Sequence, residues 1–422
     1  MPTSPETIAM LNIDSARLWQ SLLAMSQIGA TGRGGVCRLA LSAEDAAGRR
    51  LFSTWCRQAG MSLVSDAIGN LFARRPGRCL EQTPVMMGSH LDTQPEGGNF
   101  DGVYGVLAAL EVVRTLNDHD IDTRRPLEIA CWTNEEGARF APAMLGSSVF
   151  TGELPLEQAL RAADSQGLSL AAALQAAGCQ GQHPVPGPMP DAYFEAHIEQ
   201  GPILESRRVP IGVVSGGQGI LWLEIELEGA SAHAGTTPFS YRKDALQAAA
   251  ALLTQWEHDA SSRYPQALWT CGQLQIDKPS RNTVPGKVRF SLDLRHPDAA
   301  SLRLMADDLR EHIHGIAQAR GIVARIETIW HAPPTPFDTG CRRLLADAAS
   351  RLGYPHQDII SGAGHDAIVL ARHCPSAMVF IPCRDGVSHN EAESIEPEHA
   401  AMGANVLLHA VLARANAQEI PE

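Results

Sequence analysis

PVMMGSHLDTQPEGGNFDGVYGVLAALEVVRTL, residues 84–116, decides the fold class. Its first seven residues form an apolar run with the length of a buried strand. Its last sixteen carry apolar residues at helical spacing. The pattern repeats on both sides. PLEIACWT (126–133) reads as a strand, an Ala-rich stretch around 156–177 as a helix, and YFEAHI (193–198) as another strand. Near the C-terminus, an HDAIVLA helix, a SAMVFIP strand and a closing helix after EPEHA resume the rhythm. Strands alternating with helices predict a central mixed, largely parallel sheet covered on both faces, an α/β class. GQHPVPGPMPD (181–191) is a Pro/Gly-rich surface connection.

The rhythm changes near SGGQG (215–219). Leu223, Ile225 and Leu227 alternate with Glu224, Glu226 and Glu228, the period of a strand with one wet face. A helix (RKDALQAAAALLTQW), a strand around 267–276, the strand KVRFSLDLRH, a helix over 298–319 and the strand IVARIETIW follow. This βαββαβ order is ferredoxin-like. The expectation is a catalytic α/β domain, 1–214 and 331–422, interrupted by an inserted α+β domain, 215–330. Hinges fall near 213–217 and 330–334.

The chain has 422 residues, 44% hydrophobic and 19% charged, enough for a sizeable core. Its formal net charge of −13 argues against nucleic acid or an anionic membrane as partner. No apolar run is long enough for a spanning helix, and MPTSPETIAMLNID lacks the layout of a secretory signal, so a cytoplasmic location is expected. The nine cysteines are an odd count without C-x-x-C spacing, which points away from a disulfide framework or thiolate zinc cluster.

Histidines beside carboxylates cluster at predicted strand ends. GSHLDT places His90 and Asp92 at i and i+2, so a carboxylate can stand behind an imidazole. NFDG puts Asp101 at a helix entrance, where an N-cap is the plainer reading. WTNEEG sets Glu135 beside Glu136; either the two divide labour in a metal site or the segment is an exposed acidic loop. FEAHIEQG offers His197 and Glu199, and GVSHNEAE offers His389. Such ends are where open α/β sheets gather ligands. Nitrogen and oxygen donors without thiolate suit zinc, manganese, cobalt or nickel. No dinucleotide or phosphate loop and no G-x-S-x-G elbow competes.

HLDTQPEGGNFDG (90–102), TNEEGARF (133–140), FEAHIEQGPILE (194–205), GASAHAGTTPF (229–239) and VSHNEAE (387–393) resemble the hydantoinase/carbamoylase family of metal-dependent amidohydrolases, within the M20-type peptidases. The resemblance spans residues 10–415. It implies a homodimer joined through the inserted dimerisation/lid domain, two divalent ions per subunit with zinc foremost, and a small ureido substrate bearing a carboxylate. On the family pattern His90 and His197 bind one ion, Glu136 and His389 the other, and Asp101 bridges them. Glu135 is the general base, and Asp92 orients His90. His233 meets the oxyanion in the other subunit's site, and Arg295 clamps the substrate carboxylate, though it could instead pair with a neighbouring acid. Gln200, Gln218, Asn282, Gly364 and His365 match substrate-contacting residues, Gln218 being open to a plain loop role. The implied activity is hydrolysis of N-carbamoyl-L-amino acids. Allantoate amidohydrolase and β-ureidopropionase share every motif, and a silent binding protein of the same fold is the rival of another class. Histidine at 197 disfavours a dipeptidase.

Overall fold

Four buried strands lie side by side and parallel, in the spatial order Leu127–Trp132, Val85–His90, Ala192–Ile198, Ser376–Ile381. In this computed structural model, which describes residues 11–417, they form the centre of a nine-stranded mixed sheet. Both faces of three of them are fully buried, which is why they read as continuous apolar runs. The helices Ser15–Met25, Val103–Asp118, Thr339–Arg351 and Pro397–Asn416 share one large core against this sheet. Because the four strands run the same way, their carboxyl ends, and the loops that leave them, come out along a single edge.

Antiparallel strands complete the sheet. The hairpin Ser62–Ser65 and Leu71–Arg75 extends it beside Leu127–Trp132, and Ile211–Gly217 closes on Ser376–Ile381. The stretch expected as one helix over 156–177 is two, Leu156–Leu160 and Leu170–Ala177. Between them Asp164 accepts the N–H groups of Gln166 and Leu168, and Gly167 takes φ +82°, a turn that the alanines on either side conceal.

The chain divides into two units, one running to Ser215 and resuming at Pro336, the other spanning Gly216–Thr335. The second has its own core. Gly219–Glu228, Lys287–His296 and Val323–Ala332 form its long strands, with helices Ala245–Arg263 and Ala299–Ala319. All its strand pairs are antiparallel, and Lys287–His296 and Val323–Ala332 flank Gly219–Glu228, the ferredoxin-like order. Leu221, Leu223, Ile225 and Leu227 face inward as their alternation requires. The strand expected around 267–276 is broken into Leu268–Thr270 and Leu274–Ile276. Between them the Ser291 hydroxyl accepts the Gln273 N–H in place of a ladder bond.

Candidate metal centre

His90 ends its strand and His197 is one residue from the end of the neighbouring one. The ladder that pairs Met87 with Phe194 brings the two histidines level, with ring centroids 6.1 Å apart. Each imidazole is fixed from behind by a main-chain carbonyl. His90 Nδ1 lies 2.9 Å from the Asp92 carbonyl oxygen, and His197 Nδ1 lies 2.9 Å from that of Ile198. Donation from Nδ1 leaves a lone pair on each Nε2. The Gly102 N–H points at His197 Nε2 from 3.1 Å, in keeping with that tautomer. Both Nε2 atoms face Asp101 Oδ1, at 3.8 Å and 3.1 Å.

The other oxygen of the same carboxylate serves a second group. Asp101 Oδ2 is 3.3 Å from His389 Nε2, which is 3.4 Å from Glu136 Oε2. Glu135 stands alongside, its Oε2 3.5 Å from His90 Nε2. Donor atoms of His90, Asp101 and His197, and of Asp101, Glu136 and His389, lie within 4.8 Å of one another in each group. Glu195, His197 and His365 form a third such group. There, however, the Glu195 oxygens are engaged by the Ser89 and Tyr193 hydroxyls and the Ala367 N–H. The His365 ring is buried edge-on to His197, 4.5 Å between centroids.

Asp92 departs from the i, i+2 expectation. The strand stops at His90, so alternation no longer governs Asp92; its carboxylate lies 3.9 Å from His90 Nδ1, and its carbonyl makes the close contact. The carboxylate instead accepts the backbone N–H groups of Glu135 and Glu136, both at 3.3 Å. Glu199 likewise leaves the centre, capping the N–H groups of Ile203 and Leu204.

The electrostatics are those of a cation site. Burial, then the charges of Asp366, Glu136 and Asp101, push Glu135 well above the usual carboxylate range. Burial and the nearby Asp101 charge raise Glu136 to about 8, and burial lowers His90 to about 4. Burial also works against ionised Asp101, but the protons that His197 and His389 carry toward it while no ion is bound outweigh burial and hold this acid low; an ion takes the place of those protons on Nε2. Imidazole lone pairs and carboxylate oxygens that converge on shared points repel one another unless a cation lies between them. The residues therefore fit divalent ions that take nitrogen and oxygen donors.

Of the other candidates, Gln200 stands at the centre with φ +56°. Its Nε2 is 2.9 Å from Asp101 Oδ2 and 3.2 Å from Ser388 Oγ. Gly364 is exposed, whereas His365 is buried and the Ala367 N–H at the helix start after it is already engaged by Glu195. In the inserted unit His233 and Asn282 adjoin: His233 pairs with Thr283, and the Ala234 N–H donates to the Asn282 carbonyl. The N–H groups of Gly235 and Thr236 point at His233 Nδ1, which leaves Nε2–H as the outward donor. Gln218 and Arg295 lie at the opposite end of the long strands. Lys287 pairs with Glu228 and Arg295 with Ile220, so eight residues of strand, about 26 Å of backbone, run between those two cross-strand pairs. Arg295 forks onto Asp293 at 2.7–3.1 Å, the neighbouring-acid arrangement the sequence left open.

Four side chains at the centre escaped the sequence reading. Gln94 donates to Glu136 Oε2 at 2.7 Å. Glu195, Asp366 and Glu393 are buried acids in the outer layer. Each sits inside a quoted motif or next to a named residue, but only Glu195, between Phe194 and Ala196, has apolar flanks that could have signalled a buried acid.

Residues 86–413 match the family described as peptidase family M20/M25/M40. The chain belongs to the M20/M25/M40 peptidases. Among relatives of this M20 chain, an N-carbamoyl-L-amino-acid amidohydrolase of Rhizobium meliloti is 46% identical, covering 96% of the chain and 98% of the relative. An allantoate amidohydrolase of Bacillus subtilis is 32% identical over 91% and 93%. A solved hydantoinase/carbamoylase family amidase from Burkholderia ambifaria superposes with TM-score 0.92 at 56% identity, covering 97% and 98% of the two chains. The resemblance read from the motifs, and the α/β class of the M20 chain, stand on these matches.

Proposed function

We propose that this protein is a two-metal amidohydrolase that opens the ureido carbon–nitrogen bond of N-carbamoyl-L-amino acids, releasing amino acid, ammonia and carbon dioxide. One observation carries the reading. The two oxygens of Asp101 face separate histidine-containing groups, with the Glu135 carboxyl beside them. In this assignment His90 and His197 hold one ion, Glu136 and His389 the other, and Asp101 both, with zinc foremost and manganese, cobalt or nickel as alternatives. Bound there, such ions lower the pKa of water and polarise a carbonyl. Glu135, whose burial favours holding a proton, takes it from the attacking water and hands it to the departing nitrogen. Asp92 fixes the Glu135–Glu136 backbone through its two bonds.

His233 donates from Nε2 to the developing oxyanion. Arg295 holds the substrate carboxylate, and Gln200, Gln218, Asn282, Gly364 and His365 complete the contacts. The strands between the Arg295 end and the end that leads on to His233 run for about 26 Å, longer than a carbamoyl amino acid, which favours the two residues serving different sites. This supports a homodimer in which His233 and Asn282 serve the partner's site. The nine unpaired cysteines accord with a cytoplasmic enzyme.

The deciding assay measures ammonia release from carbamoyl amino acids, carbamoyl-β-alanine and allantoate by metal-loaded protein. Fastest turnover of the first group, lost on chelation and restored by added metal, is expected. Turnover that survives exhaustive chelation, with metal analysis blank, overturns the mechanism. Preference for allantoate would move the assignment to the Bacillus subtilis relative's reaction. Co-refolding inactive Glu135→Ala and His233→Ala chains should restore activity in mixed dimers, because one site of each then carries neither change.

A further inference from the structure

We infer that Glu393 is a positioning residue of this centre, holding the turn that carries Asp101 against the loop that carries His389. It rests on the two-metal reading above. Glu393 is only 4% exposed, and its oxygens are divided between two segments nearly 300 residues apart. Oε1 accepts the backbone N–H groups of Phe100 at 2.8 Å and Asp101 at 3.1 Å. Oε2 accepts the hydroxyl of Ser388, the residue before His389, at 3.0 Å. The Ser388 oxygen is in turn 3.2 Å from Asp101 Oδ2.

The arrangement ties down what matters for a shared ligand. One oxygen that accepts two successive amides fixes the backbone from which the Asp101 side chain departs. The other fixes the loop on which His389 approaches the far side of that side chain. Space has been left for it: a Cβ on Gly98 would lie 2.1 Å from the Glu393 carboxyl. Neither segment forms a regular strand or helix that would do this work instead, since 97–102 and 387–393 are turns and loops. An alanine at 393 would leave the Phe100 and Asp101 amides without their acceptor and free Asp101 to turn. Because Asp101 faces both groups, the two ions should weaken together. Loss of His197 or Glu136, each facing one group, should weaken one ion far more than the other.

The test compares wild type, Glu393→Ala and Glu393→Gln, with metal stoichiometry and both dissociation constants read by competition against a chromophoric chelator. Glu393→Ala should weaken both ions on the order of 10- to 100-fold. Glu393→Gln keeps an oxygen for the two amides and should stay within roughly threefold of wild type on the same scale. Gly98→Ala, which displaces the carboxylate while keeping Glu393, should repeat the paired loss and replaces the alanine variant if that one does not fold. Wild-type affinities in both Glu393→Ala and Gly98→Ala, or a glutamine variant as weak as alanine, overturn the role of Glu393. A wild-type chain that takes up fewer than two ions instead overturns the two-metal reading on which it rests.

Discussion

Gly102→Ala adds one methyl group and should dismantle half of the metal centre. Gly102 has φ +68° and ψ −48°, and the Val103 N–H closes back on the Asp101 carbonyl at 2.7 Å. That is a γ-turn of the strained, positive-φ kind, which a side chain disfavours by about 1–3 kcal/mol. The methyl would also stand 2.3 Å from His90 Cε1 and Nε2 and 2.5 Å from Nδ1. His90 is 1% exposed and pinned at Nδ1, so it has no empty space to enter; relieving such overpacking costs a further 1–3 kcal/mol or so. Either the ring swings away from Asp101 or the turn shifts and takes Asp101 with it. The expected outcome is a destabilisation of about 2–5 kcal/mol in denaturant titration of the metal-stripped protein. Alongside it, the ion held by His90 and His197 should weaken by at least about tenfold in chelator competition. A variant that keeps both ions at wild-type strength, with stability within about 0.5 kcal/mol, would refute the packing argument.

Glu135→Gln should retain both ions and lose roughly 10²- to 10⁴-fold in kcat; a variant that sheds an ion would exchange the roles of Glu135 and Glu136. Metal uptake should depend on pH. The bond to Asp101 raises His389 to about 9, and burial raises Glu136 to about 8, so both hold protons at neutral pH that the ion must displace. Affinity at that group should therefore fall as pH falls below about 9, and more steeply below about 8, with release of about one to two protons per ion. Calorimetry in buffers of different ionisation enthalpy measures this, and affinity unchanged between pH 6 and 8 would contradict it. Arg295→Ala should raise KM roughly 10- to 100-fold for a free carboxylate and little for its amide analogue; equal effects would remove Arg295 from the clamp.

The elements the sequence made legible are those with a period. Buried strands such as Val85–His90 and the alternation of Leu221–Leu227 announced the two architectures, because burial on two faces or one imposes a pattern on single residues. His90 and His197 were legible as residue types at strand ends, since parallel strands deliver their termini to one edge. What stayed hidden depends on pairs distant in the chain. That Asp92 would serve the Glu135–Glu136 amides rather than the His90 ring follows from where the strand stops, which no local pattern marks. Gln94 and Glu393 have ordinary loop neighbours, and only the folded register shows what they touch. Breaks inside expected elements, at Asp164–Gly167 and at Gln273, arose where a side chain replaced a backbone bond.

The strand Ser376–Ile381 lies between Ala192–Ile198 and Ile211–Gly217, although it is made last of the three. During synthesis, then, the inner sheet has a gap until Ser376–Ile381 has left the ribosome, and the His389 loop arrives after it. The unit over Gly216–Thr335 is contiguous with its own core and can fold while that gap is open. A nascent chain at that stage has His90, Asp101 and His197 but no histidine or loop to complete the second group. On the proposed assignment, loading of the second ion should then be a late step in biogenesis, and C-terminal truncation products should emerge unable to hold a pair of ions.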